Sequence, residues 1–524
     1  MDQASVPIAR ISDDLLHRIF LLVVTEAWNG RGTSATHPWN NMKCLAISHV
    51  GRYWRKLALA SPQLWSYLSI TLSTNVDQIE AYLQRSQDLP MYVKYTGTAD
   101  VAQPSSSRWG QNALVPARNI HRISEIHVAE LRSDDILTLL SVFTQPAPLL
   151  RRLYLHAPAQ LIGPSMFARE TPALREIELS GVLLAWLPYR DMEVMILKDQ
   201  FTPSLGKLLS TLKDCPLLKV LKLGMLGSMR SPNLAFNTDP LPEAIELPRL
   251  QEFSLSSMMA TDIANVLKYV SFPSTTALDL TFNHYNLPLD LGKECPSLRA
   301  IAAEQESVIL ELTNVLEWST QVVLRSPNGK LRIEWERFIT AGLPEIVDTA
   351  GLSTLSFPSL RHLTIIANSF RLLPPQWRQI LARVPTITSL ELDIRDSMVP
   401  RLFDALSPPA GDEVNAEGTD GTAESGPLMC PDLVHLKLSH VDEQLPIWYG
   451  LTECIEKRTA DGHCLQTIDI TSRSGEPFPD EIESRLKKCV GTVSVHCDAP
   501  STDGRSFKVE LLHDLRSSLY AQNG

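Results

Sequence analysis

One pattern, P-x-L-x-x-L-x-L, recurs along the chain and limits its fold more than any other feature. It reads Pro148, Leu150, Leu153 and Leu155, then Pro172, Leu174, Ile177 and Leu179. It returns at Pro216, Leu218, Leu221 and Leu223, and at Pro248, Leu250, Phe253 and Leu255. Three further copies begin at Pro358, Pro385 and Pro431. Degenerate copies start at Pro273 and Pro296, and Leu465, Ile468 and Ile470 form one without the proline. The L-x-L pair has period two, which puts both side chains on one face of a short strand. A strand of this kind buries little alone. Stacked in parallel with its neighbours, it contributes one apolar layer to a continuous core. The proline stops any preceding helix and fixes the chain entering the strand.

Amphipathic helices are legible between the strands. Ser133, Asp134 and Asp135 open one, with Ile136, Leu139, Leu140 and Phe143 on its apolar stripe. Thr261 or Asp262 opens another, with Ile263, Val266, Leu267 and Val270 on one face. Segments 376–384 and 398–406 read the same way. Strand–helix alternation at steps of roughly 23–46 residues resembles irregular leucine-rich repeats. The stretch from Ala302 to Ser356 carries no clear copy. Cys215, Cys295 and Cys430 each precede a repeat proline, and this shared phase implies one structural job, a small buried hydrophobe at the helix-to-strand turn. Residues 97–112 and the acidic, small-residue-rich segment 408–427 read as loop-like or disordered.

Residues 8–70 have a different chemistry. Ser12 is placed to cap a helix that opens with Asp13 and Asp14 and continues through Leu15, Leu16, Ile19, Phe20, Leu22 and Val23. A loop from Trp28 to Pro38 precedes a second helix, expected from Met42 through Ala60. Ser61-Pro62 starts a short third helix carrying Leu64 and Trp65. Segment 11–20 (ISDDLLHRIF) and segment 47–65, with its W-R-x-L-A-x-x-x-P-x-L-W spacing, resemble an F-box of the kind found in fungal F-box-like proteins. The resemblance covers about 60 residues. It departs from the family pattern at Ser12, where proline is usual, and in a longer first loop.

In that family the F-box binds a Skp1-like adaptor and through it a cullin. The downstream domain holds a target protein for ubiquitination. The resemblance therefore implies a substrate-recognition subunit of an SCF-type E3 ubiquitin ligase. Carried over by position, Ile11, Leu15, Leu16, Ile19 and Phe20 lie on or behind the adaptor-facing surface, while Trp54, Leu57 and Trp65 serve core or interface. An interaction scaffold unconnected with ubiquitination is the alternative.

The expected fold class is α/β: a three-helix F-box-like head, then an irregular leucine-rich-repeat solenoid of parallel strands. The expected divisions are a head at 8–72, a connecting region at 73–120, the solenoid at 121–498 with its insertion at 408–427, and a cap or tail at 499–524. Outward strand positions define the expected target-binding face: Arg152, Tyr154, Glu176, Glu178, Lys222, Glu391, Asp393, His435 and Lys437.

Composition narrows the function. A net charge of −11 with a pI near 5.7 argues against a general nucleic-acid or anionic-membrane surface. No run is long and apolar enough for a spanning helix, which with the absence of N-x-S/T fits a cytoplasmic or nuclear setting. No C-x-x-C pair, nucleotide loop, G-x-S-x-G or H-E-x-x-H occurs. His463-Cys464 and His496-Cys497 lack metal-ligand spacing to any partner. No catalytic residue, metal or cofactor is expected.

Overall fold

The computed structural model describes residues 11–29, 42–97, 108–184, 189–201, 204–226, 244–258, 260–282, 295–316, 319–338, 355–367, 374–394, 399–407, 428–441, 445–472 and 479–497. The segments expected at 408–427 and 499–524 lie outside them. The fold is mixed α/β on a large, mostly parallel sheet that does not close into a barrel. The chain forms two compact units: Met1–Glu304 with Leu324–Phe338 and Ser353–Ser356, and Gln305–Val323 with Ile339–Leu352 and Phe357–Gly524.

In the first unit the helices α1 (Asp13–Asn29), α2 (Met42–His49) and α3 (Arg52–Leu59) lead into a 3-10 turn at Pro62–Trp65. The single helix expected from Met42 to Ala60 is therefore broken. Gly51 is extended (φ −177°, ψ 170°) and interrupts the helix between Val50 and Arg52. Glycine is a poor helix former, costing about 1 kcal/mol against alanine. The Ser48 hydroxyl also donates back to the Leu45 carbonyl, the competing bond that favours helix ends for serine.

The strands of this unit follow in order: β1 (Tyr67–Ile70), β2 (Met91–Thr96), β3 (Ile123–Ala129), β4 (Arg152–Ile162), β5 (Glu176–Leu183), β6 (Val194–Phe201) and β7 (Val220–Leu226). After a two-residue strand β8 (Ile245–Glu246) come β9 (Glu252–Met258), β10 (Val270–Ser271), which pairs with β8, and β11 (Ala277–Phe282). Each long strand pairs in parallel with the next, β7 with β9 and β9 with β11. After β12 (Ser307–Leu316), which belongs to the second unit, and β13 (Ser319–Arg325), most of which does, comes β14 (Leu331–Phe338) of the first unit, which pairs in parallel with β11.

The P-x-L element is a turn with proline at its second position. The carbonyl of the residue before proline accepts the leucine N–H three residues on: Ala147 from Leu150, Thr171 from Leu174, Cys215 from Leu218, Leu247 from Leu250. Proline's fixed φ suits that position. At several strands the carbonyl just before the strand then accepts two N–H groups of the following rung, as Arg151 does from Arg175 and Glu176, and Lys219 from Gln251 and Glu252. The turn leucine and both strand leucines are buried in every complete copy.

In the second unit, β12 pairs with β15 (His362–Ala367), then follow β16 (Ser389–Ile394), β17 (His435–Val441), β18 (Thr467–Ser472) and β19 (Thr492–Cys497), all parallel. Helices Pro374–Ala382, Val399–Leu406, Leu445–Ala460 and Asp480–Cys489 cross between them. Here the same turns run from Phe357 to Leu360, Val384 to Ile387 and Cys430 to Leu433.

The structure corrects three expectations. The degenerate copy at Pro296 is a helix, Pro296–Ala303, with proline in its first turn and the Cys295 sulfur accepting the Leu298 N–H at 3.4 Å. Cys215 and Cys430 do sit at a helix-to-strand turn, whereas Cys295 starts a helix; all three are buried. Region 73–120 is more than a connection: helices α4 (Val76–Arg85) and α5 (Arg108–Arg118) flank β2. The end of segment 97–112 is ordered because Trp109 packs edge-on against Tyr95 at 6.4 Å and the Asn112 amide donates to the Thr74 carbonyl at 3.2 Å.

Candidate interaction surfaces

Helix α1 presents three faces. Leu16, Phe20 and Val24 are buried in the head, with the Phe20 ring 4.8 Å from that of Trp54. Leu21, Thr25 and Trp28 face the start of the ladder. On the third face Leu15, Ile19, Leu22 and Val23 are 53, 42, 65 and 37% exposed, a continuous apolar stripe at helical spacing. Val50, Tyr53 and Leu59 add exposed apolar area on the neighbouring segments. The Tyr53 hydroxyl bonds the Asp13 carboxylate, tying α3 to the first turn of α1.

The carried-over residues therefore divide. Leu15 and Ile19 lie on the surface, Ile11, Trp54 and Leu57 are half-buried, and Leu16, Phe20 and Trp65 are core. Buried side chains of this kind shape the surface from behind and do not touch a partner. Leu22 and Val23 complete the stripe; their spacing from Leu15 was the signal for them.

Both ends of α1 are pinned. The His17 ring bonds the Ser61 hydroxyl at 3.0 Å and the Gln63 side-chain oxygen at 2.7 Å. At the other end the Trp28 N–H donates to Glu125 at 3.1 Å, and its ring packs 5.6 Å from Tyr67 and 6.3 Å from Tyr92, which stack on each other at 4.7 Å. Between the pins lies an open recess of 310 Å³ among Leu21, Thr25, Gln63, Tyr67, Leu89 and Tyr92.

The strand register turns the outward positions into rows. One runs Tyr67, Tyr92, Glu125, Arg152, Glu176, Val194, Val220, Glu252. The next runs Ser69, Lys94, His127, Tyr154, Glu178, Ile196, Lys222, Ser254, Asp279. Every expected target-facing residue of the first unit lies in these rows. Most are bound to one another: Arg152 pairs with Glu176 at 3.0 Å and Glu125 at 3.6 Å, Tyr154 donates to Glu176 at 2.9 Å, and Lys222 pairs with Glu252 at 2.7 Å. Burial and the Glu176 charge hold the Tyr154 hydroxyl above its ordinary pKa. Burial likewise raises Glu125 despite its bonds from Trp28 and Arg152.

In the second unit Glu391 pairs with Lys437, and His435 bonds the Thr467 hydroxyl at 2.7 Å. Asp393 lies outward in the next row, between Ile366 and Ser439.

Lys94 gives this face a pH dependence. It is 5% exposed, and burial pushes its ammonium pKa down to about 8 although Glu130 and Glu125 pull it up. An unfolded lysine keeps its proton to about pH 10.4. Between these values the unfolded chain binds more protons than the native one, so stability rises with pH. Lys94→Met is accordingly more stable than the parent below pH 8, and the difference shrinks towards pH 10. Equilibrium unfolding of both proteins from pH 7 to 10 checks this; a gap that stays constant across the range contradicts it.

Among the described residues no group of His, Cys, Asp or Glu is placed to hold a metal ion, and no helix is long and apolar enough to cross a membrane. Comparison with known protein families finds no family model that matches this chain, and comparison with curated proteins finds no match.

Proposed function

We propose that the chain is a substrate-recognition subunit of an SCF-type E3 ubiquitin ligase. The head acts as an F-box on a Skp1-type adaptor, and the ladder acts as irregular leucine-rich repeats that hold a target protein. The chain contributes no chemistry of its own in this reading. It raises the local concentration of the target beside an enzyme carried elsewhere in the assembly.

The observation that carries the reading is the exposed stripe Leu15, Ile19, Leu22 and Val23. The opposite face of α1 is filled by the head, so this stripe is not a core face left open by poor packing. It lies on the segment whose sequence resembles an F-box. Burying such side chains in a partner is worth about 1 kcal/mol or more apiece.

The test is to mix the full chain with a purified Skp1-type adaptor and read the mass of the complex by light scattering. A one-to-one complex is expected. A folded chain that forms none up to tens of micromolar would assign the stripe to a different partner, leaving an interaction scaffold unconnected with ubiquitination.

A further inference from the structure

The outward face of a sheet in water is ordinarily polar, and through β1 to β5 this one follows the rule with Tyr, Ser, Lys, Glu, His and Arg. At β6 and β7 it does not. Val194 lies beside Val220 in register, and Ile196 stands two residues along β6 on the same face. All three are half-buried, so the patch is open to solvent in part.

The surroundings of this patch are chemically closed, with two exceptions, Glu178 beside it and Lys198 two residues beyond Ile196 on the same face. On one flank Arg152 and Tyr154 are committed to Glu176. On the other Lys222 is committed to Glu252, and beneath the patch Lys219 is committed to Glu193 at 2.6 Å. Glu178 sits in register between Tyr154 and Ile196, and among the described residues it has no hydrogen bond or ion pair. An apolar centre ringed by satisfied ion pairs is how the strongest part of a protein interface is built, because the ring excludes water without competing for the occupant.

We infer that Val194, Ile196 and Val220 with Glu178 form the anchor site for a target segment carrying an apolar side chain next to a lysine or arginine. This rests on the reading that the ladder face holds the target. The apolar side chain covers the valine–isoleucine patch, and the neighbouring cation, seated over β5 away from Lys198, pairs with Glu178, whose carboxylate has no ion pair among the described residues. An acidic side chain in that place over β5 would meet Glu178 and Glu176 and be repelled.

The experiment uses the full chain and three fluorescent peptides in a glycine–serine background, centred on Leu-Arg, on Leu-Glu and on Arg alone. Anisotropy is read up to millimolar protein. The Leu-Arg peptide is expected to bind best. Ile196→Asp weakens it at least tenfold, and Glu178→Lys shifts the preference to Leu-Glu. Both positions lie on the outward face, so circular dichroism shows both variants folded with the parent's secondary structure, and Ile196→Ser repeats the test without adding a charge. Equal binding of Leu-Arg and Leu-Glu, no effect of Glu178→Lys, or no binding of any peptide overturns the inference. Adaptor binding by the same variants, which alter no residue of α1, reports separately on the function reading.

Discussion

Arg458→Ala is expected to destabilise the second unit by about 3 kcal/mol or more. The Arg458 guanidinium is 1% exposed and lies in helix Leu445–Ala460. It donates to the Leu406 carbonyl at 3.1 Å, the Met429 carbonyl at 2.9 Å and the Cys430 carbonyl at 2.8 Å. Leu406 precedes segment 408–427 and Met429 follows it, so one side chain closes the base of that excursion. Two buried carbonyls and the half-buried one of Met429 lose their donor in the variant, and each buried unsatisfied group costs about 1–3 kcal/mol. Lysine is no substitute, because an ammonium lacks the planar fork that reaches all three. Replacing residues 408–427 by a short linker is expected to change stability by less than about 1 kcal/mol, since loop closure depends only on the logarithm of length. Hydrogen exchange on peptides covering 435–472 checks both. Unchanged protection in Arg458→Ala would show that the clamp is not structural.

Trp65→Ala is expected to destabilise the first unit by about 3–5 kcal/mol, the usual cost of removing a buried indole. Trp65 is fully buried, donates its ring N–H to the Ala58 carbonyl at 2.9 Å, meets Tyr82 edge-on at 5.0 Å and carries the Arg85 guanidinium over its face at 4.3 Å. It therefore joins α3, the 3-10 turn and α4. Any loss of partner binding in this variant is indirect and follows the loss of fold. Leu15→Asp behaves oppositely: half its side chain is already in water, so the melting temperature stays within a degree or two while binding falls. Thermal melts of the two proteins side by side separate these roles. Equal melting temperatures would remove Trp65 from the core.

Most of the ladder was legible because its determinant is local. P-x-L makes a turn, and L-x-L buries two side chains, wherever the copy is complete. The copy at Pro296 fails because its final leucine position is Ala303, and Leu298, Ile301 and Ala302 sit equally well on one helix face. The rungs at β1 and β2 depart from the repeat pattern for a related reason. Ser61-Pro62-Gln63-Leu64 makes the same turn, with the Ser61 carbonyl accepting from Leu64, but the strand begins one residue late. At β2 the inward set is Met91, Val93 and Tyr95, without a leucine among them. The break at Gly51 had a local signal in Ser48 and Gly51, but Ile47, Val50, Trp54 and Leu57 continue at helical spacing across it and hid it.

The surfaces were less legible than the fold. Periodicity marked the outward positions but not their pairing, and pairing depends on register between strands far apart in sequence. Glu125 illustrates this: it completes the cluster of Trp28, Arg152 and Glu176, yet no local feature of β3 distinguishes it. The head stripe was half visible, since helical spacing groups Leu15, Ile19 and Leu22 but does not say which of two apolar faces a small core will take.

The central claim is that the stripe on α1 is an adaptor-binding surface. Isothermal titration of a Skp1-type adaptor into the full chain, and into Leu15→Asp/Ile19→Asp, tests it most directly. The account predicts micromolar or tighter binding by the parent and a loss of at least a hundredfold in the double variant, with both proteins equally folded by circular dichroism. Equal affinity of parent and variant, or no heat from a well-folded parent, would contradict it.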